Sequence, residues 1–532
     1  MLRTRPIVLR LKNVATILGF HDFLFSDLAD RLPHVVALVI HVAEGETHPS
    51  TECSGRAIEA LVAILRDASS LKSLELRSSA EWQSLGYLDD LRLSAVIEEV
   101  ASLRELTIGG RTEVANFIGA IRSPLTKLAV GVSISEVRLD EGQWSPDSFG
   151  AALSRITPSL QTLAITKSYV RLIGGPPDSV SALTPFHALR SLTLSWLVVV
   201  PQLPLLFALS PNLDGTLHIT MLIHGSPVSA GLEERYNFFR TAREQNSLAQ
   251  EHKCWTRLHR LICDVEALFA LSLRCPVGLT IVHECPTHAV PATRRYITES
   301  FRDHPPTHLN LQPMIWWGPD EPSLAGMFPP EAAATLTHLT LCVQCDYDSV
   351  PGATPLLEEM LRWDDLWRGT FLPALAPLRS LTHFRLVFHC EAREPEVPAW
   401  PISEDPFVED LRPTGGTSRF DFAAMAAALV DALPALRYCF LTNSARLVEM
   451  KLSAGRTFVE RWRESRAWRV ACTPTGLDGV DDLQAVAAVD AYETRRELVE
   501  LDDDIAEAII DRGDLVLSTE EKASAVNRSS RQ

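Results

Sequence analysis

The chain lacks the local signatures of several chemistries. It has no G-x-x-x-x-G-K-[ST], no G-x-G-x-x-G and no G-x-S-x-G segment, so phosphate-loop, dinucleotide and esterase sites have no starting point. Basic charge is scarce: 50 Lys and Arg against 67 Asp and Glu leave a net charge of −17. A protein that displaces counterions from phosphates needs a basic face, so a general nucleic-acid role is excluded. Cysteine is at ordinary usage, 10 in 532 residues at irregular spacings, whereas a disulfide-stapled scaffold is denser and smaller. The thiols are expected to be reduced and mostly buried, in a protein of the cytoplasm or nucleus. Long apolar runs are missing too. The longest uncharged stretch, between Arg190 and Asp214, carries Pro201, Gln202 and Pro204 at its centre, a cluster of breakers ill suited to a membrane helix. No membrane span is expected.

Metal and redox motifs fail on spacing. Cys342-Val343-Gln344-Cys345 has no second C-x-x-C to complete a zinc site and follows a strand-like run rather than opening a helix. His283 and His288 are five residues apart with Pro286 between them, and Pro305 and Pro306 separate His304 from His308. Neither pair shares the helical face that a zinc-protease motif requires. Asp502-Asp503-Asp504 reads as a solvated acidic run. No catalytic residue, cofactor or metal is expected, and an enzyme with dispersed catalytic residues is the less favoured alternative.

What the chain does contain is a recurring L-x-x-L-x-L segment. It stands at Leu71/Leu74/Leu76, Leu103/Leu106/Ile108, Leu125/Leu128/Val130, Leu160/Leu163/Ile165 and Leu189/Leu192/Leu194. It returns at Leu258/Leu261/Cys263, Leu336/Leu339/Leu341, Leu381/Phe384/Leu386 and Leu436/Cys439/Leu441. Val35/Leu38/Ile40 is a first copy and Leu213/Leu217/Ile219 a blurred one. The last two apolar positions alternate with a polar or small residue, which is strand patterning. Between copies the period changes. Ile58, Leu61, Val62 and Leu65, then Leu93, Val96, Ile97 and Val100, are spaced as one stripe of a helix, as are sets at Val114, Phe149 and Phe422. A strand–helix unit of this kind cannot bury its apolar face alone, so copies must stack.

The expected fold is therefore an α/β leucine-rich-repeat solenoid, a curved parallel sheet backed by helices. Its repeats are irregular: intervals of 32, 22, 35 and 29 residues from Leu71 to Leu189 lengthen to 45 or more later. The turn position that usually holds asparagine is occupied by Ser79, Arg111, Ser168, Leu197 and Gln344. Without an asparagine ladder, other groups must satisfy the turns.

The irregular repeats, together with Phe420 to Leu441 and the run Trp462 to Val470, resemble the fungal, mushroom-type F-box and leucine-rich-repeat proteins. The resemblance implies substrate recognition in a ubiquitin ligase, with an F-box docking on the ligase adaptor subunit. A recognisable F-box is missing. In Asp27 to Pro33 the Leu-Pro pair follows the helix rather than opening it, and the first tryptophan is Trp82. Residues 1–34 are thus read as an F-box remnant, although Ile7, Leu9 and Leu11 alternate as a strand would.

Residues 35–475 form the solenoid in this reading. A polar insertion over 225–257 is expected to be one surface helix, and 391–419, rich in proline, an exposed loop. The tail 476–520 is distinct: from Asp478 to Glu521, 15 acids face three arginines, a net of −12. Its apolar faces predict a partly helical cap on the open end, with 521–532 disordered.

Residues between the strand leucines should line the concave face. There Thr162 and Thr193 are small enough to admit a partner, and Arg260, His338, Thr340, His383 and Arg385 form a basic patch on an acidic protein. The expectation is a monomer that binds a protein partner on this face, either as (or derived from) the ligase substrate-recognition part or as a stand-alone scaffold.

Overall fold

A computed structural model describes residues 8–11, 14–27, 31–42, 51–78, 91–110, 118–119, 121–132, 153–166, 184–197, 200–221, 232–286, 291–316, 324, 326–346, 362–393, 410–411, 420–451, 455–474, 494–513 and 515. Val114, Phe117, Phe149 and Ala152 of two expected helix stripes lie outside these, while Ile118, Ile121, Leu153 and Ile156 of the same stripes are buried; most of the 391–419 loop, the stretch 476–493 of the tail and the 521–532 end also lie outside. The chain divides into two compact units, residues 1–263 with 270–277, and residues 264–269 with 278–532. No described helix is long and apolar enough to cross a membrane.

In the first unit nine strands follow in chain order, each parallel to the next: β1 (Val8–Leu11), β2 (Ala37–Val42), β3 (Ser73–Ser78), β4 (Glu105–Gly110), β5 (Lys127–Val132), β6 (Thr162–Thr166), β7 (Ser191–Leu197), β8 (Thr216–Met221) and β9 (Leu258–Cys263). The repeated leucines set this register. Leu106 stands opposite Leu128, Leu128 opposite Leu163 and Leu163 opposite Leu192, all of them fully buried. Burying each such side chain contributes about 1.5–3 kcal/mol relative to exposure. Parallel neighbours require a crossover, and the crossovers carry helices such as Thr51–Asp67 and Leu91–Glu99. Leu93, Val96, Ile97 and Val100 are buried as their spacing predicts; in Thr51–Asp67 the buried stripe runs through Ala57, Leu61, Ile64 and Leu65, and Ile58 is half-exposed.

The sheet begins earlier than the 1–34 boundary allows. Leu9 pairs with Leu38 and Leu11 with Ile40, and the helix Val14–Phe25 buries Ile17, Phe20 and Leu24. A strand and a helix therefore stand where a helical F-box remnant was expected.

The polar insertion is one helix, as expected, and its other face remains exposed while one face is buried. Leu232–His252 buries Tyr236, Phe239, Arg243, Asn246 and Gln250, spaced three and four apart so that they share one face. Two of the polar members, Asn246 and Gln250, satisfy neighbouring backbone. Asn246 Oδ1 accepts from the Leu203 N–H at 2.8 Å, while its Nδ2 donates to the carbonyls of Pro201 and Ala270, each at 2.9 Å. Gln250 Nε2 donates to the Ser272 carbonyl at 2.8 Å, and its Oε1 accepts from the Arg274 N–H at 2.7 Å.

Of the turn positions without asparagine, Ser79, Arg111 and Ser168 lie outside the described residues; at the starts of the strands, backbone carbonyls tie neighbouring repeats together. The Lys72 carbonyl accepts from the N–H groups of both Arg104 and Glu105, and the same double acceptance repeats at Arg104, Thr126 and Gln161. Ser102 and Ser159 add hydroxyl donors to the carbonyls of Leu71 and Leu125. At β8 the approach is so close that a Cβ on Gly215 would fall on the Arg190 carbonyl, which receives the Thr216 N–H at 3.0 Å. Gly215→Ala is expected to destabilise the first unit by about 1–3 kcal/mol by forcing these strands apart; an unchanged urea midpoint would refute the packing argument.

The second unit holds β10 (Val277–Pro286), β11 (His308–Trp316), β12 (His338–Asp346), β13 (His383–Arg393), β14 (Tyr438–Lys451), β15 (Gly455–Pro474) and β16 (Thr494–Glu500). β10 to β14 are parallel; β15 and β16 add antiparallel strands. Thr280 and Val282 stand opposite Leu309 and Leu311, so β10 and β11 are two further repeats that the leucine pattern did not mark. Behind the sheet Trp363 is 1% exposed, with Phe388 and Phe420 at 4.9 and 4.6 Å between ring centres. Asp410, inside the Pro-rich segment, is buried and accepts from the Trp363 N–H at 3.3 Å.

Part of the acidic tail extends this sheet. β16 pairs with β15, and Arg496 donates to the carbonyls of Leu433 and Leu436 at 3.0 and 2.9 Å. The helix Asp503–Arg512 then buries Ala506, with Ile509 and Ile510, against Phe440, Ala467 and Leu515.

Candidate functional site

Because side chains alternate across a strand, every strand with buried leucines offers a second face. In the first unit that face is built from small and half-exposed residues. Thr107, Ala129, Ala164 and Thr193 lie in one register row across β4 to β7, with Lys127, Thr162 and Ser191 in the row beside it. Thr162 and Thr193 are thus on neighbouring strands and half-exposed. Arg260 lies on β9, opposite Thr216, and is half-buried.

The same face of the second unit differs from the basic patch expected of it. Arg385 is 6% and Thr340 1% exposed, so neither is a surface residue. Arg385 lies beneath the tail, where its Nη1 donates to the Leu515 carbonyl at 2.7 Å. The histidines carry no charge at neutral pH. His338 is held down at about 3 by burial first, then by the neighbouring His383 and His308; His383 is held at about 4 by burial, then by His308 and Arg437.

These histidines belong to a ladder. His308, His338, His383 and Tyr438 occupy one register row on β11 to β14. Their rings stack at 4.0, 4.1 and 4.9 Å between centres. A threonine precedes each histidine. Thr337 Oγ1 donates to the Thr307 carbonyl at 3.1 Å and Thr382 Oγ1 to the Thr337 carbonyl at 3.0 Å. With its own proton committed, each hydroxyl accepts from the adjoining imidazole, at 2.9 Å to His338 Nδ1 and 2.9 Å to His383 Nδ1. The network therefore assigns the ring proton to Nδ1. Stacked rings present their nitrogens side by side rather than toward one point. Among the described residues no group of three or more His, Cys, Asp or Glu is placed to hold a metal.

The ladder's signal was present in the sequence as Thr-His-Leu-Asn-Leu at 307, Thr-His-Leu-Thr-Leu at 337 and Thr-His-Phe-Arg-Leu at 382. Reading the histidines as surface cations concealed it. Next along each strand come Asn310, Thr340 and Arg385, again in register, and then the buried pair Cys342 and Val387. Cys342 thus packs as a strand residue. Cys263, Cys275, Cys342, Cys390 and Cys439 are buried, and Cys254 and Cys472 are exposed.

Chemically, the first unit offers a shallow polar sheet face. The second offers neutral aromatic rungs beside a buried polar row, part of which holds a main-chain carbonyl. A scan against protein-family models gives no match, and a search of the curated proteins finds no similar sequence.

Proposed function

We propose that the chain is a leucine-rich-repeat protein-interaction module that recognises a protein partner through the leucine-free face of its first unit. The observation that carries this reading is the run of small, half-exposed residues across β4 to β7, over which a partner's backbone approaches the sheet without displacing long side chains. The repeat pattern and chain-order parallel strands support the leucine-rich-repeat identity. The resemblance to fungal F-box proteins gives the module its specific role, substrate recognition in a ubiquitin ligase or descent from such a subunit. The acidic tail supplies the end cap.

The test is affinity purification of the tagged chain from its native cells, read by mass spectrometry, with Thr162→Arg and Thr193→Arg alongside. An arginine in the middle of the contact costs about 1.4 kcal/mol or more, a tenfold loss of affinity. Partners recovered from the wild type are expected to fall at least tenfold in both variants. Undiminished recovery would remove this face from the reading. Co-purification of the ligase adaptor subunit supports the ubiquitin role; its absence while other partners recur leaves a stand-alone scaffold.

A further inference from the structure

Two thiols of the first unit lie against each other. Cys254 follows the helix Leu232–His252 and is exposed; Cys275 belongs to the 270–277 segment of the same unit and is buried. The Cys275 thiol donates to the Cys254 sulfur, which also accepts from the Cys275 N–H, and the Arg274 guanidinium acts on the same sulfur. Each partner is held from outside the pair. Lys253 Nζ donates to the Phe207 carbonyl at 3.1 Å and Trp255 Nε1 to the Ser210 carbonyl at 2.8 Å, which fixes the residues on either side of Cys254. On the opposite side Gln250 holds the Ser272 carbonyl and the Arg274 N–H, and Ser272 is kept in the left-handed region at φ 44°. The Pro276 carbonyl accepts from the Leu258 N–H at 2.9 Å. A thiol is a weak donor and a weak acceptor, so the surrounding fold, not the thiols' own hydrogen bond, brings the two sulfurs together.

We propose that Cys254 and Cys275 are a redox modification site, oxidised to an intramolecular bridge by a low-molecular-weight disulfide. Cys254, as thiolate, attacks one sulfur of the small disulfide, forms a mixed disulfide and releases one thiolate, which takes up a proton. Cys275 then gives up its proton and attacks the Cys254 sulfur, and the second small thiolate leaves. The two protein thiols are oxidised to one disulfide while the small disulfide is reduced to two thiols. Exposure makes Cys254 the point of entry. Burial, then the neighbouring Cys254, pushes Cys275 up to about 12, whereas at Cys254 the upward push of burial is opposed by Cys275 and Arg274. Cys275 is therefore the resolving thiol, and its step is the slower one. The bridge ties the end of the long helix to the 270–277 segment and stabilises the unit chiefly by restricting its unfolded chain. Neither cysteine lies on the leucine-free face, and the fate of Thr193→Arg does not bear on the site.

The test incubates the full chain with oxidised glutathione and maps it by mass spectrometry without reduction. The expected product is a linked pair of peptides carrying Cys254 and Cys275. Cys275→Ser should stop at glutathione on Cys254, and Cys254→Ser should give neither product at Cys275. Oxidised wild type should unfold about 5 °C above the reduced protein, and dithiothreitol should restore the lower midpoint. Between pH 7 and 8 the mixed disulfide should resolve about tenfold faster, because the Cys275 thiolate population rises in that proportion. A lasting glutathione adduct on wild-type Cys254, a bridge to a different cysteine, or a bridge that forms only in urea would overturn the proposal. An oxidised midpoint at or below the reduced one would overturn it as well, since the sulfurs would then have to leave their native positions to join.

Discussion

Asn246→Leu is expected to destabilise the first unit by about 3–5 kcal/mol. The size follows from what the substitution strands rather than from what it removes. Asn246 is 1% exposed and holds the Leu203 N–H and the carbonyls of Pro201 and Ala270. Leucine fills a similar volume but leaves all three groups buried without partners, and each orphan costs about 1–3 kcal/mol. Asn246→Asp separates the contributions. It keeps the acceptor for Leu203 but turns a carboxylate oxygen toward two carbonyls, so it too should be destabilising. Urea unfolding of the full chain followed by circular dichroism gives the measurement. A loss under about 1 kcal/mol for Asn246→Leu would mean that these backbone groups find other partners.

The second large effect is acid sensitivity in the second unit. His338 and His383 titrate at about 3 and about 4 in the fold against an ordinary value of 6.5. Above pH 6.5 folded and unfolded chains are both neutral at these rings, and the ladder contributes no pH dependence. As pH falls below 6.5 the unfolded chain takes up protons that the stacked rings refuse, so stability declines until the folded values near 4 and 3 are passed. A charge on His338 would face His383 and His308, and one on His383 would face His308 and Arg437. The expected result is a thermal midpoint that drops steadily between pH 6.5 and 4. His338→Phe with His383→Phe should flatten that slope, because phenylalanine keeps the stack, as Tyr438 already does at the fourth rung. An identical slope in the double variant would assign acid lability to the carboxylates instead.

The leucine-rich strands were legible in the sequence because period-2 patterning and a fixed leucine spacing follow directly from a strand buried on one face. The repeats at β10 and β11 escaped because Thr280 takes a leucine's place in one and Pro306 stands three residues before Leu309 in the other. The long helix was legible as an element, but its buried polar face was not. Asn246 and Gln250 are polar and buried, since their partners are backbone groups from segments distant in sequence, which no local pattern encodes. The candidate face was half legible. Alternation correctly placed Thr162, Thr193, His338 and Arg385 away from the leucines. It could not foresee that the chain's own Leu515 would lie on Arg385, a contact between residues 130 apart.

The order of the strands has a kinetic consequence. In the first unit every strand pairs with its neighbour in sequence, so each new pairing closes only one short loop and the sheet grows by accretion from any nucleus. The second unit shares this habit up to β14 and then departs from it, because Arg496 reaches back to Leu436 and Leu515 to Arg385. Those closures have no docking surface until β13 and β14 are in place. On a ribosome residues 494–515 emerge after β13 and β14, so during synthesis those strands wait, with Phe440 and Arg385 uncovered, for the segment that packs on them.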